Sequence, residues 1–370
     1  MRFPEFEGEW EEKTIFQILK IGNGRDYKHL NDGNIPVFGT GGYMTSVDEY
    51  LMDGETVCIG RKGTINKPFY YSGKFWTVDT LFYTHSYLNS LPKFIFYVFE
   101  NINWMRYNEA SGVPSLSKRT IEQIEVVIPE IIEQNKITRF LSILDQRIQT
   151  QSQIIEDLKL LKSTISQYIF SHKIRFKDEN GNIFPNWELK KLNDVLIIQG
   201  GYAFKSNLFN QGTNKVIRIG DILPIIKLSK FSGTNSSETP SVKYIVKKDD
   251  FMMALSGATF GKVGKIKGEG IAYINQRVAT FRTKQNLEFF YQLVQTDNFK
   301  NYINSIPTAS AQPNISNDDI GNYKSYIPHF IEQTKIASFL LTIDNKIEIE
   351  GQILNIYTEQ KKYLLANLFI

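Results

Sequence analysis

Two glycine-rich turns gather the side chains best suited to polar chemistry. In the first half of the chain Arg61, Lys62 and Lys67 flank Gly63, and in the second Thr259, Lys262 and Lys265 lie around Gly257 and Gly261. Ammonium and guanidinium groups on such turns can hold phosphates. A few residues later Asn275, Gln276 and Arg277 stand in a row. Arginine forks onto guanine and the two amides bracket adenine, so the triplet has the chemistry of base-edge readout. Trp76 and Asp79 occupy the similar place in the first half, and Tyr202, Phe204 and Lys205 follow the Gly200-Gly201 pair. At each position an ordinary turn charge or strand residue is an equal reading, and the rings of Tyr202 and Phe204 suit a core better than a contact.

Groups that would make or break bonds do not assemble in the same way. The run SGATFGKVGK around Ser256 lacks the GxxxxGK[ST] spacing of a phosphate loop. His29, His85, His172 and His329 are scattered without HExxH spacing, and the single cysteine, Cys58, excludes a CxxC zinc site and an intrachain disulfide. Asp53, Glu55 and Lys67 are nuclease-like residue types, but their order around a strand is not diagnostic. The expectation is a chain without its own active site, cofactor or metal.

Composition sets the frame for these groups. A chain of 370 residues, 42% hydrophobic and 22% charged, can bury ordinary cores in two domains. There is no eighteen-residue apolar run and no signal-type start, so a cytoplasmic protein without a membrane role is expected. Residues 1–128 hold 13 basic and 16 acidic side chains, whereas residues 184–327 hold 18 and 11. Cationic surface is therefore concentrated in the second half.

The elements that must position the turns are announced by a repeat. Without a gap, Pro114, Leu116, Ser117, Pro129, Glu133, Gln134, Asp145 and Lys162 recur 199 positions later as Pro313, Ile315, Ser316, Pro328, Glu332, Gln333, Asp344 and Lys361. Such a duplication implies two similar units about a pseudo-symmetry axis. Behind Pro129 and Pro328 the apolar positions step by four and three. The first run is Ile137, Leu141, Leu144, Ile148, Ile155, Leu158, Ile165 and Ile169; the second is Ile336, Leu340, Ile343, Ile347, Leu354, Tyr357, Leu364 and Leu368. This is the seam of a helix pair. It is interrupted by Gln151 and Lys162 in one copy and by Glu350 and Lys361 in the other, which suggests register control. An antiparallel register setting Lys162 against Glu350 also sets Gln151 against Lys361. Phe140, Ile154, Leu161 and Tyr168 widen the apolar face, so a local domain or a partner must cover them. Amphipathic helices packing each on its own domain is the plainer alternative.

Ahead of each helix lies a longer unit rich in β-branched and aromatic residues and punctuated by glycine. The two units share little identity. GNGRDYK from Gly22 stands where GGYAFK occurs from Gly200, and Trp10 where Trp187 does. The polar linker HKIRFKDENGNIFPNW from His172 has an Asn180-Gly181 turn and reads as a boundary.

This alternation resembles the specificity subunits of type I DNA restriction-modification systems over the whole chain. The resemblance is carried by RFPEF at Arg2 with the related IFPNW at Ile183, by SGVPSLS at Ser111 and SAQPNIS at Ser310, and by IPEIIEQNKITRFLSILD with IPHFIEQTKIASFLLTID. It implies an α+β fold: two mixed, strand-rich target recognition domains, residues 1–128 and 184–327, separated by conserved spacer helices. Residues 129–183 would form the first helix and linker and 328–370 the second, as an antiparallel coiled coil in a pseudo-twofold, circular repeat.

The same resemblance implies that each domain reads one half of a bipartite, asymmetric site on double-stranded DNA. The helices would set the gap and dock two modification (methyltransferase) subunits, and through them motor/nuclease subunits. The expected docking residues are Ile137, Phe140, Leu141, Leu144, Ile148, Ile155 and Leu158, with Ile336, Phe339, Leu340, Ile343, Ile347 and Leu354. The complex would be a site-specific deoxyribonuclease and adenine-N6 methyltransferase, with S-adenosylmethionine, ATP and magnesium on partner subunits. No NPPF- or DPPY-type tetrapeptide for a flipped adenine occurs in this chain. An antiparallel overlap of about 28 residues spans about 40 Å, against about 34 Å for a turn of DNA. A helix-mediated interaction scaffold with no DNA role is the second reading, and a stand-alone enzyme ranks last.

Overall fold

The computed structural model describes residues 2–306 and 314–369, so Pro313 and the first part of the SAQPNIS segment lie outside the described residues. The chain divides into two compact units, residues 1–153 with 351–370, and residues 154–350. Two long helices, Ile131–Phe170 and Phe330–Leu368, each begin in one unit and end in the other. Each unit thus holds the N-terminal part of one helix and the C-terminal part of the other. No described helix is long and apolar enough to cross a membrane.

The first unit is built on a six-stranded sheet in the order Lys20–Asn23, Leu81–His85, Met52–Gly60, Phe69–Thr77, Asp32–Gly39, Gly42–Val47. Neighbours are antiparallel except Asp32–Gly39 and Phe69–Thr77, which pair in parallel. Central strands must bury both faces, and Val57, Cys58 and Ile59 are consecutive and fully buried. The helix Pro92–Asn101 covers the sheet with Phe94, Ile95, Tyr97 and Phe99, in one cluster with Leu141 and Leu144 of the first long helix and Leu364, Leu365 and Leu368 of the second.

The second unit carries a five-stranded sheet, ordered Ile197–Gly200, Val278–Arg282, Phe251–Ala254, Val263–Lys267, Ile225–Lys227. A four-stranded sheet runs Asn235–Ser236, Phe209–Ile217, Ile271–Ile274, Ile245–Lys247. Phe251 stacks on Phe281, and this core continues through Phe289 to Ile169, Ile336 and Leu340 of the long helices. The expected seam residues are buried or half-buried throughout.

The repeated residues are explained where each long helix starts. Gln134 Nε2 donates to the Pro129 carbonyl at 2.8 Å while its Oε1 accepts from Leu91 N at 2.9 Å. Gln333 does the same with Pro328 and, at 3.3 Å, with Asn286 N. Glu133 accepts two bonds from the Arg2 guanidinium, and Glu332 two from Arg175. These fork pairs fix direction as well as charge. They also correct one expectation: Arg2-Phe3 has its counterpart in Arg175-Phe176 rather than in IFPNW. Phe3 meets Phe140, and Phe176 meets Phe339, both edge-on at 5.8 Å.

The lysines make other pairs than the expected ones. Within the second unit Lys162 Nζ lies 2.6 Å from Asp344 Oδ1, and within the first Lys361 Nζ lies 2.7 Å from Asp145 Oδ1. Asp145 and Asp344 are repeat counterparts, so each lysine meets the acid of the opposite copy. The physical reason is solvation. Both aspartates keep 28% of their side-chain exposure, whereas a seam layer would strip the ions of water and require a larger Coulombic return. Gln151 and Glu350 are buried in the seam, and Glu350 pairs with Lys346 one turn away on its own helix.

Candidate nucleic-acid interface

One arrangement of loops is built in each unit. In the first unit, the chain leaving Met52–Gly60 is clamped by its backbone: Arg61 N donates to Thr80 O at 2.8 Å, and Leu116 N to Arg61 O at 2.8 Å. Gly63 N donates to Pro114 O at 2.8 Å, and its φ of +95° is a conformation that favours glycine. In the second unit Leu255 N donates to Arg277 O at 2.9 Å and Ile315 N to Leu255 O at 3.0 Å. Gly257 repeats the positive φ at +73°. Leu116 and Ile315 are partners in the 199-residue repeat. Arg61-Lys62-Gly63 therefore corresponds to Leu255-Ser256-Gly257, and Asp79-Thr80 to Gln276-Arg277.

A third segment joins the crossing. Gly24 N donates to Leu81 O at 3.2 Å and Arg25 N to Thr77 O at 2.8 Å; Gly201 N donates to Val278 O at 2.9 Å and Tyr202 N to Ile274 O at 2.9 Å. A Cβ at Gly24 would lie 1.9 Å from the Val78 carbonyl oxygen, and one at Gly201 2.1 Å from that of Asn275. Only glycine permits this approach. The glycine segments bring Arg25 in one unit and Tyr202 in the other beside the turn that carries Asp79 or Gln276.

The predicted residues fall into two groups. Arg61, Lys62, Lys67 and Asp79 are exposed, as are Lys205, Lys262, Gln276 and Arg277. Arg61 sits 5.9 Å over the Phe82 ring with one nitrogen 3.5 Å from the Asp79 carbonyl. The Arg277 guanidinium donates to Asn314 Oδ1 at 3.1 Å. Asn275 is half-buried, and its Oδ1 accepts from Gln276 N at 2.6 Å, so it shapes the turn that presents its two neighbours. Thr259 is half-buried, with an enclosed hydroxyl that has no hydrogen-bond partner among the described residues. Lys205 N donates to Glu238 Oε2 at 2.9 Å, leaving its ammonium exposed.

Two expected contacts are corrected. Trp76 is 5% exposed, clustered with Val37, Val47 and Val78, and its indole N–H donates to the Arg25 carbonyl at 2.9 Å. It holds the glycine segment from beneath. Lys265 is 8% exposed and is held by an ion pair with Glu288, 5.5 Å from the Tyr291 ring. Its place on Val263–Lys267, inside the five-stranded sheet, turns it away from solvent. Tyr202 and Phe204 are half-buried and meet edge-on at 5.0 Å.

Sequence reasoning missed Arg25 and Asn314, although both stand in quoted segments, GNGRDYK and SAQPNIS. The expected docking set also divides. Ile137, Leu141, Leu144, Ile155, Ile336 and Leu340 are buried, and Ile148, Leu158, Ile343, Ile347 and Leu354 are half-buried in the seam. Phe140 and Phe339 are exposed. Among the described residues no group of three or more His, Cys, Asp or Glu side chains converges as a metal site.

Comparison with known proteins follows the same division. The sequence model for the type I restriction modification DNA specificity domain matches residues 7–160 and again residues 185–356. The MjaVIII specificity subunit of Methanocaldococcus jannaschii is 29% identical over 266 residues, covering 65% of this chain and 60% of that one. A putative type I restriction enzyme specificity subunit of Haemophilus influenzae is 23% identical over 352 residues, covering 90% and 86%. In fold the chain is similar to the S subunit of the type I restriction-modification system of M. genitalium, with a TM-score of 0.64, 16% identity, and coverage of 100% and 99%.

Proposed function

The chain belongs to the type I restriction modification DNA specificity family, and from that premise we propose that it is the non-catalytic specificity subunit of a type I restriction-modification complex. Residues 1–128 and 184–327 are the two target recognition domains, each reading one half of a split, asymmetric site on double-stranded DNA. The carrying observation is the loop crossing built twice on one backbone plan with different side chains: Arg61, Lys62 and Asp79 in one unit, Ser256, Gln276 and Arg277 in the other. A shared scaffold with divergent presented groups is what two readers of unlike half-sites require. A generic interaction scaffold has no use for it.

Readout in this account is divided by chemistry. Arg277 and Gln276 reach base edges, where a forked contact discriminates by about 1–3 kcal/mol. Arg61, Lys62, Lys67, Lys205 and Lys262 hold phosphates and set register on the duplex. The first domain's acidic excess limits what this chain contributes alone, because nonspecific affinity comes largely from phosphate neutralisation. Two methyltransferase subunits complete the clamp, docked on the helix faces that carry Phe140 and Phe339, with motor/nuclease subunits joining through them. S-adenosylmethionine, ATP and magnesium belong to those partners.

The long helices act as the ruler. Inserting seven residues between Asp145 and Lys162, and seven between Asp344 and Lys361, adds about 10 Å to each helix while keeping the seam in phase and both lysine–aspartate pairs intact. The expected result is the same two half-sites with a gap longer by about three base pairs, at 3.4 Å each along a strand. It is read by mapping methylation with the lengthened subunit. An unchanged gap refutes the ruler.

A further inference from the structure

A cleft of about 470 Å³ opens in the second unit where four segments meet: the first long helix, the connection between Phe251–Ala254 and Val263–Lys267, the end of the helix Leu287–Leu293 with the residues after it, and the helix Asp297–Ser305. Four lysines line it, Lys159 and Lys162 from the long helix, Lys262 from the connection and Lys300 from the short helix, against one carboxylate, Asp297. Lys162 is committed to Asp344. The other three remain available. Lys262 has no ion-pair partner among the described residues, and Lys159 and Lys300 are 54% and 53% exposed, with Glu156 and Asp297 as solvated neighbours on their own helices. Exposed pairs at such spacings are worth only a few tenths of a kcal/mol. A phosphate can therefore displace either carboxylate at little cost.

The rest of the lining suits the same ligand. Ser163, Gln167 and Asn298 add hydroxyl and amide groups to the lining, the side-chain types that hydrogen-bond phosphate oxygens beside Lys and Arg. The cleft also shares Lys262 with the connection that begins at Ser256 and Gly257, so it continues the reading loops onto the scaffold helix. We propose that this cleft is a phosphodiester site in which Lys159, Lys262 and Lys300 hold the DNA backbone next to the half-site read by the second domain. The site rests on the DNA-reading function above and adds to it an anchor on the spacer helix itself. It also gives the second domain's cationic excess a place. No counterpart is expected in the first unit, because the repeat places Thr358 where Lys159 stands.

Salt dependence of DNA binding by the complex purified with this chain, on a duplex carrying its methylated motif, tests the site. Each lost phosphate contact lowers the slope of log K against log salt by about 0.9. K159A/K300A is expected to lower it by about 1.8, with half-site preference retained, whereas K190A/K248A, which removes one half-buried and one exposed lysine outside the cleft, leaves it closer to wild type. An unchanged slope in K159A/K300A overturns the site, whether or not inorganic pyrophosphate raises the melting temperature through the cleft. An equal fall in K190A/K248A also overturns it, since net charge alone would then account for the effect. If the wild-type complex fails to bind duplex DNA at all, the DNA-reading function falls and the site with it.

Discussion

Glu332→Ala is expected to destabilise the second unit by about 3–5 kcal/mol, the range for breaking one side of a buried ion pair. The carboxylate is fully buried. It accepts two bonds from Arg175, at 2.9 and 3.0 Å, and a third from the Trp187 indole at 2.9 Å. Removing it leaves a guanidinium only 19% exposed without its counter-ion, together with an indole N–H without an acceptor. Neither can be rehydrated cheaply. Glu332→Gln keeps an acceptor for the indole and is expected to lose less. The counterpart Glu133→Ala is also expected to lose less, because Arg2 is 33% exposed and can turn to water. Urea denaturation of the purified chain, or of the chain with its partners if it needs them, gives the comparison. A loss below about 1 kcal/mol for Glu332→Ala would mean that the fork pair contributes no more than a surface bridge.

The second large effect is expected in the first unit, at Lys361. Its ammonium lies 2.7 Å from Asp145 Oδ1 and 2.7 Å from Glu100 Oε2, and the Tyr97 hydroxyl donates to Asp145 Oδ2 at 2.7 Å. One cation thus separates two carboxylates. Lys361→Met should cost about 2–3 kcal/mol at neutral pH, below the fully buried range because the acids keep a quarter of their exposure. Burial already holds the Glu100 carboxyl above its usual range, with Lys361 pulling the other way. Without the lysine it must rise further. A carboxyl raised in the folded state binds its proton more tightly there than in the unfolded chain. Its favourable contribution is complete below the ordinary carboxylate range and is lost as pH rises through the folded value. The variant should therefore recover part of its deficit between pH 7 and about pH 5. A deficit equal at both values would assign the loss to packing of the lysine stem over Phe96 and Tyr97, which lie 5.6 and 5.5 Å from its nitrogen.

Much of the architecture was legible because helix periodicity survives in sequence while loop chemistry does not. The seam from Ile137 to Ile169 could be read off spacing, since a buried stripe is mostly apolar and its few polar breaks, Gln151 and Lys162, do not hide the period. The partners of the lysines could not. Asp145 and Asp344 were visible as repeat partners, yet lysine's long stem let the pairs form beside the seam rather than across a layer of it. The fork pairs were half-legible: Glu133 and Glu332 stood out, but their arginines lie more than a hundred residues away in sequence, and the RFPEF and IFPNW resemblance pointed to the wrong counterpart.

At the candidate interface, Trp76 and Lys265 show why strand residues mislead. Whether a polar or aromatic group on a strand faces water depends on what packs over it, and Trp76 lies under the Arg25 segment. The crossing itself is held by backbone hydrogen bonds, which leave almost no trace in side-chain identity beyond Gly24, Gly201, Gly63 and Gly257. Those glycines marked the place. The residues around them diverge, and that divergence carries the proposed difference between half-sites.

The most direct test is adenine methylation mapped across the genome by long-read sequencing in the source strain, with this gene intact, deleted and restored. The account predicts that deletion abolishes methylation at a single split motif, two short specified halves with a fixed gap, and that the restored gene returns it. Methylation unchanged by deletion at every motif would contradict the assignment of this chain as the subunit that chooses the site.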